Sequence, residues 1–159
     1  MTVAIREQVV RAFAARFVGL NDQHGDAINI FRGRDTQVSE FPALVIEEGA
    51  EQAREPSYPR LDLIMTVTVY GYVSMDADEG DVDGAGADYE AEKTDLYARA
   101  LQAVMADRTL GGLADDVRFL SMTPEIAMDA GTQAGTLTIV FEVDYWTSDS
   151  NPFTQTLGG

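Results

Sequence analysis

One stretch constrains this chain more than any other. From Leu61 to Val73, apolar and polar residues alternate almost without a break. Leu61, Leu63, Met65, Val67, Val69 and Val73 share one face, with Gly71 in the same register. Asp62, Thr66, Thr68, Tyr70 and Tyr72 share the other, where Ile64 is the only aliphatic. Successive side chains on a strand point to opposite faces, so the pattern predicts one half-buried β-strand. At about 3.3 Å per residue it spans on the order of 43 Å. A usual strand has about five or six residues. That reach predicts that part of the strand projects from its own small domain and meets another subunit.

A second patterned strand closes the chain. Leu137, Ile139, Phe141, Val143 and Tyr145 alternate with Thr136, Thr138, Val140, Glu142 and Asp144. Shorter strands are predicted at Ala27 to Phe31, at Phe41 to Glu48, and at Val117 to Met122 before Pro124. Pro42 suits a strand start or an edge. Gly49 to Pro59 is polar with two prolines and reads as a loop. Two helices have apolar stripes. The first, Thr2 to about Gly19, repeats Ile5, Val9, Phe13 and Phe17, with Thr2 as its N-cap. The second, about Asp88 to Asp107, carries Tyr89, Leu96, Tyr97, Ala100, Leu101, Val104 and Met105. Asp95 and Arg99 sit in the favourable i,i+4 order. Arg108 suits the helix end, and Gly111-Gly112 its stop. The order helix, strands, helix, strands predicts an α+β domain. Its sheet is mostly antiparallel, of about four to five strands, with both helices on one face and a long projecting β-hairpin. The other face carries threonines, tyrosines and acids, and so can meet water or a polar partner.

A chain of 159 residues is one domain by length. Its patterned part runs over residues 1–146, and residues 147–159 read as a polar C-terminal extension. No apolar run reaches the ~18 residues that a membrane span needs. The N-terminus lacks the basic start and apolar block of a signal peptide. Cysteine is absent, which excludes disulfides and thiolate metal sites. Charge is the outlier: 27 acids against 11 bases give a net charge of −16. Such a surface repels phosphates, which argues against gripping nucleic acid. The acid is uneven. Asp76, Asp78, Glu79, Asp81, Asp83, Asp88, Glu90 and Glu92 fall between Ser74 and Glu92 with no base among them, whereas the first helix carries Arg6, Arg11 and Arg16 against Glu7.

No constellation points to chemistry. His24, the only histidine, lies in a polar loop without a cysteine or serine partner. Asp81, Asp83, Gly86 and Glu92 match positions 1, 3, 6 and 12 of a calcium loop. Position 5, however, is Ala85, and a strand precedes the loop where a helix is wanted. Asp81, Asp83 and Glu92 therefore stand as a metal candidate beside the simpler reading of a solvated acidic loop. Gly80, Gly84 and Gly86 lack the spacing of a phosphate loop. Ser121, Ser148 and Ser150 lie in no nucleophile elbow. The sequence predicts neither an enzyme nor a cofactor. Trp146 and Phe153 either anchor an interface or, for Trp146, close the sheet edge.

The order of elements resembles the tail terminator proteins of long-tailed, lambda-like bacteriophages. The matching pieces begin with the N-terminal helix. Next come Phe41-Pro42-Ala43-Leu44-Val45-Ile46-Glu47-Glu48-Gly49-Ala50-Glu51 and the long strand from Leu61. A helix bearing Asp95-Leu96-Tyr97-Ala98-Arg99-Ala100-Leu101 follows, then Leu110-Gly111-Gly112-Leu113-Ala114-Asp115-Asp116-Val117, and the strand from Thr136 to Trp146. The Leu110 to Val117 piece looks like the helix exit of many phage minor tail proteins. The acidic loop and the tail after Thr147 look like additions to the family pattern. The resemblance implies a six-membered ring on the last ring of tail tube protein. Such a ring ends tube polymerisation, presents a surface to the head-side connector and lets DNA pass through its lumen. It implies a place in the virion neck, assembly in the host cytoplasm and no membrane. Glu47, Glu48, Glu51, Arg54, Arg60, Asp62, Trp146 and Phe153 are the interface candidates, with Arg54 and Arg60 expected to meet acids of a neighbouring subunit. The alternatives are another neck component, such as a head-side completion protein, and a calcium-binding accessory domain.

Overall fold

The computed structural model describes residues 2–33, 38–56, 59–74, 85–129 and 132–157. Along the chain run α1 (Ile5–Ala15), β1 (Asn29–Arg32), β2 (Ala43–Pro56), β3 (Arg60–Ser74), α2 (Ala85–Met105), a 3-10 turn (Leu110–Gly112), β4 (Ala114–Asp129) and β5 (Thr132–Ser148). The strands form one sheet in the order β1-β2-β3-β5-β4. β1 pairs with β2 in parallel, and the other pairings are antiparallel. The fold is thus α+β: a mostly antiparallel five-stranded sheet with two helices packed against it.

The alternation in β3 sets the layers. Leu63, Met65, Val67, Val69 and Val73 are buried, and they form one core with Val9, Phe13, Leu96, Ala100 and Val104 of the helices. Leu137, Ile139, Phe141, Val143 and Tyr145 of β5 lie in register beside them and are buried on the same face. The length of β3 is matched within the chain. β5 pairs with it from Arg60↔Ser148 to Ser74↔Ala134, and β2 flanks it from Ala43↔Tyr72 to Pro56↔Leu61, forming the long hairpin. Phe141 is the hub of the core. Its ring lies 5.4 Å from Phe13 of α1 and 6.2 Å from Phe119 of β4.

Gly71 lets α2 come down onto the sheet. A Cβ there would lie 2.8 Å from Leu137 Cγ and 3.1 Å from Leu96 Cδ2, and both leucines are fully buried. Neither can move aside cheaply. Gly71→Ala is therefore expected to cost about 1–3 kcal/mol by overpacking. Urea denaturation followed by the fluorescence of Trp146 measures this directly. A variant as stable as the parent would show that α2 has room to shift.

Several boundaries differ from the sequence expectation, each for a long-range reason. α1 starts at Ile5 rather than Thr2, and its N-cap residue, Ala4, makes no side-chain cap. Instead the Ile5 N–H donates to the Pro152 carbonyl at 3.0 Å. The predicted loop from Gly49 is largely strand, because pairing with β3 carries β2 on to Pro56 through register shifts after Glu48 and Ala53. α2 ends at Met105, short of Gly111 and Gly112, which take positive φ angles at the 3-10 turn. Arg108 lies beyond the helix and pairs with Asp116. β4 runs through Pro124, which an edge strand tolerates because its missing N–H need not face a neighbour. The tail is tied to the domain. The Ser148 N–H donates to the Thr154 carbonyl at 2.9 Å, and Gln155 Nε2 donates to the carbonyls of Leu113 and Trp146 at 2.8 and 3.0 Å.

Candidate interface

The interface candidates divide between the two faces of the sheet. Glu48 and Glu51 stand opposite Val67 and Met65, on the helix side; Glu47 stands opposite Thr68, on the other. The bulge between Glu48 and Glu51 brings both carboxylates within reach of α1. Arg6 donates to the Gly49 carbonyl at 2.8 Å and to Glu51 at 3.0 Å, with Glu48 at 3.6 Å. Arg32 of β1 bridges Glu7 at 2.7 Å and Glu48 at 2.8 Å. The Tyr145 hydroxyl donates to Glu51 from below. This network ties α1 to the outer strands. The hydrogen bond from Arg32, aided by Arg11, holds the Glu7 carboxyl below its usual range.

Burial, and then the adjacent Glu51 carboxylate, push the Tyr145 phenol well above the usual tyrosine range. The sign of the pH dependence follows. A raised pKa means that the stability from this group is intact below the unfolded-state value, about 10, and is lost as pH rises above it. Thermal melts between pH 8 and 11.5 should therefore show a falling Tm above about pH 10. Tyr145→Phe should lose about 1 kcal/mol at neutral pH and flatten the alkaline slope. Tyr72, raised by burial, leaves a smaller residual slope. An unchanged slope in Tyr145→Phe would refute the assignment.

On the face away from the helices, charge gathers where β3 begins and β5 ends. Asp144 of β5 is only 3% exposed. It accepts from Arg54 of β2 at 2.6 Å and from both terminal nitrogens of Arg118 of β4, one of them at 2.8 Å. That hydrogen bond to Asp144, with Glu142 nearby, raises the Arg118 pKa further. One step along, Arg60 donates to Asp62 and to Asp115, each at 2.7 Å, and its guanidinium lies 4.7 Å over the Trp146 ring. Stacking of this kind suits the planar guanidinium. Arg108 grips Asp116 at 2.9 and 3.0 Å. Phe153 is 46% exposed in the tail turn beyond Ser148.

The fold thus brings Arg54, Arg60, Asp62 and Trp146 to one end of the sheet. It also supplies own-chain acids for both arginines, Asp144 for Arg54 and Asp62 with Asp115 for Arg60, in place of the acids of a neighbouring subunit that the resemblance implies. Asp144, Arg118, Asp115 and Asp116 complete the network, and none of them is among the interface candidates the sequence predicts. The one signal for them was Glu142 and Asp144 at the polar positions of an alternating strand, and it gains meaning only once the β4–β5 register sets Arg118 opposite Glu142.

The calcium candidate divides differently. Asp81 and Asp83 lie outside the described residues. Glu92 sits in α2, where its carboxylate meets His24 Nε2 at 3.1 Å. Among the described residues no group of three or more potential ligands could hold a metal ion. His24 is exposed, as its polar loop suggests, and with Asp22, Phe41, Glu92 and Leu96 it lines an open cavity of about 200 Å³. No helix among the described residues is long and apolar enough to cross a membrane. No protein-family model matches this sequence, and no curated protein matches it.

Proposed function

We propose that this chain is a structural protein of a long-tailed phage virion. It caps the tail tube as a ring of identical copies, six by the family resemblance, ends tube polymerisation and presents the surface that the head-side connector joins. One observation carries the reading. The segments that resemble tail terminators follow one another in the folded chain as helix, long antiparallel hairpin, helix, tight glycine exit and closing strand. The charge is in keeping with it. A closed ring needs two different, complementary surfaces on each copy. A net charge of −16 around a lumen would repel the DNA backbone, so the genome passes without sticking.

The direct test is reconstitution. Purified chain added to polymerising tube protein should shorten the tubes and leave a ring at one end in electron micrographs. Tubes of unchanged length, with the chain instead bound to the portal side, would favour a head-side neck component.

A further inference from the structure

We propose that the C-terminal tail, Ser148 to Leu157, is a detachable strap that sets the first turn of α1 and, through Arg6, the bulge of β2. None of residues 148–157 is buried, and the tail contributes no side chain to the core. Even Phe153 is 46% exposed. Hydrogen bonds hold the tail instead, and they reach separate parts of the domain. The Asp149 N–H donates to the Pro59 carbonyl at 3.0 Å, just before β3. Gln155 Nε2 donates to the carbonyls of Leu113, just before β4, and of Trp146, near the end of β5. Between these ties, Pro152 offers its carbonyl to the Ile5 N–H. The Asn151 side chain steadies the turn by accepting from the Phe153 N–H at 3.0 Å. A segment held by exposed hydrogen bonds, with no apolar burial behind them, opens at low free-energy cost while the domain stays folded.

The Pro152 carbonyl takes the place of a side-chain cap. Ala4, the N-cap residue, makes none, and the first N–H groups of a helix have no partner within it. The next residue, Arg6, belongs to the same first turn and reaches across to β2. It donates to the Gly49 carbonyl at 2.8 Å and to Glu51 at 3.0 Å, within the register shift between Glu48 and Glu51. The Tyr145 hydroxyl donates to the same Glu51 oxygen. Adjacent residues of one turn thus hold the Pro152 carbonyl and the Gly49 carbonyl, so releasing the first loosens the grip on the second. Ile5, Val9 and Phe13 keep their places in the core, so the body of α1 stays seated when the tail leaves. The coupling lies within one chain and stands apart from the capping reading.

The test is amide hydrogen exchange of the full chain, read by mass spectrometry, with Gln155→Glu and Thr156→Glu compared. Neither position is buried, so both variants fold, which circular dichroism checks. Gln155→Glu sets a carboxylate against two carbonyls that now receive N–H groups, and so detaches the tail. Thr156→Glu adds the same charge one residue further on, at an exposed side chain. In Gln155→Glu, exchange in the tail, from Ile5 to Gln8 and from Glu48 to Glu51 should rise at least about 10-fold, with α2 unchanged. Thr156→Glu should match the parent throughout. Parent-like exchange in the tail or at Ile5 to Gln8 of Gln155→Glu would overturn the strap, and a rise there that leaves Glu48 to Glu51 untouched would overturn the coupling. An equal rise in α2 would mean that the whole domain is weakened, and an equal rise in Thr156→Glu that charge alone suffices; either result would also overturn the proposal.

Discussion

Replacing Phe141 by alanine is expected to cost about 3–5 kcal/mol, the range for deleting a large buried aromatic. The ring is fully buried and stands where three elements meet: Phe13 brings in α1, Phe119 brings in β4, and β5 supplies the residue itself. The cavity cannot close by a local shift. β5 is held by ladders on both sides, so only α1 is free to settle. A domain of this size has a total stability of roughly 5–15 kcal/mol, so the variant should be close to unfolding at 37 °C. Urea denaturation gives the number. Val140→Ala, on the opposite face of the same strand, is the control and should cost far less. A loss under about 1 kcal/mol for Phe141→Ala would mean that the helices do not depend on this ring for docking.

The second large effect falls on the charged end of the sheet. Asp144→Ala removes a buried carboxylate and leaves Arg54 and Arg118 facing each other. Breaking a buried pair by deleting one partner costs about 3–5 kcal/mol when the remaining charge is buried. Here the arginine side chains are 46% and 31% exposed and can turn toward water. The expected loss is therefore smaller, about 2–3 kcal/mol. Asp62→Ala, at a nearby pair whose carboxylate is only part-buried, should cost at most about 1 kcal/mol. Equal losses at the two positions would show that burial of Asp144 adds nothing.

The parts of this fold legible in the sequence are those fixed by local alternation or helical spacing. β3 and β5 have clean period-two patterns, and the stripes of Val9 and Phe13, and of Leu96, Ala100 and Val104, are buried as their spacing implies. What escaped was decided by partners far along the chain. Gly49 to Arg54 has the composition of a loop and becomes strand because β3 offers a ladder beside it. Pro124 reads as a stop and is not one, because β4 lies at the edge. The start of α1 is set by a carbonyl from Pro152, which no N-terminal signal could announce. The candidate interface follows the same rule. Arg54 and Arg60 are conspicuous cations in an acidic chain, so their involvement in ion pairs was readable. That their acids are Asp144, Asp62 and Asp115 depends on strand register, which residue types alone do not set.

The capping account is tested most directly by electron microscopy of lysates from a phage or prophage in which this gene is deleted. Loss of length control should yield tails far longer than normal, without heads. Normal, infectious particles would contradict the account outright, and tails of normal length beside unjoined, DNA-filled heads would move the protein to the head side of the neck.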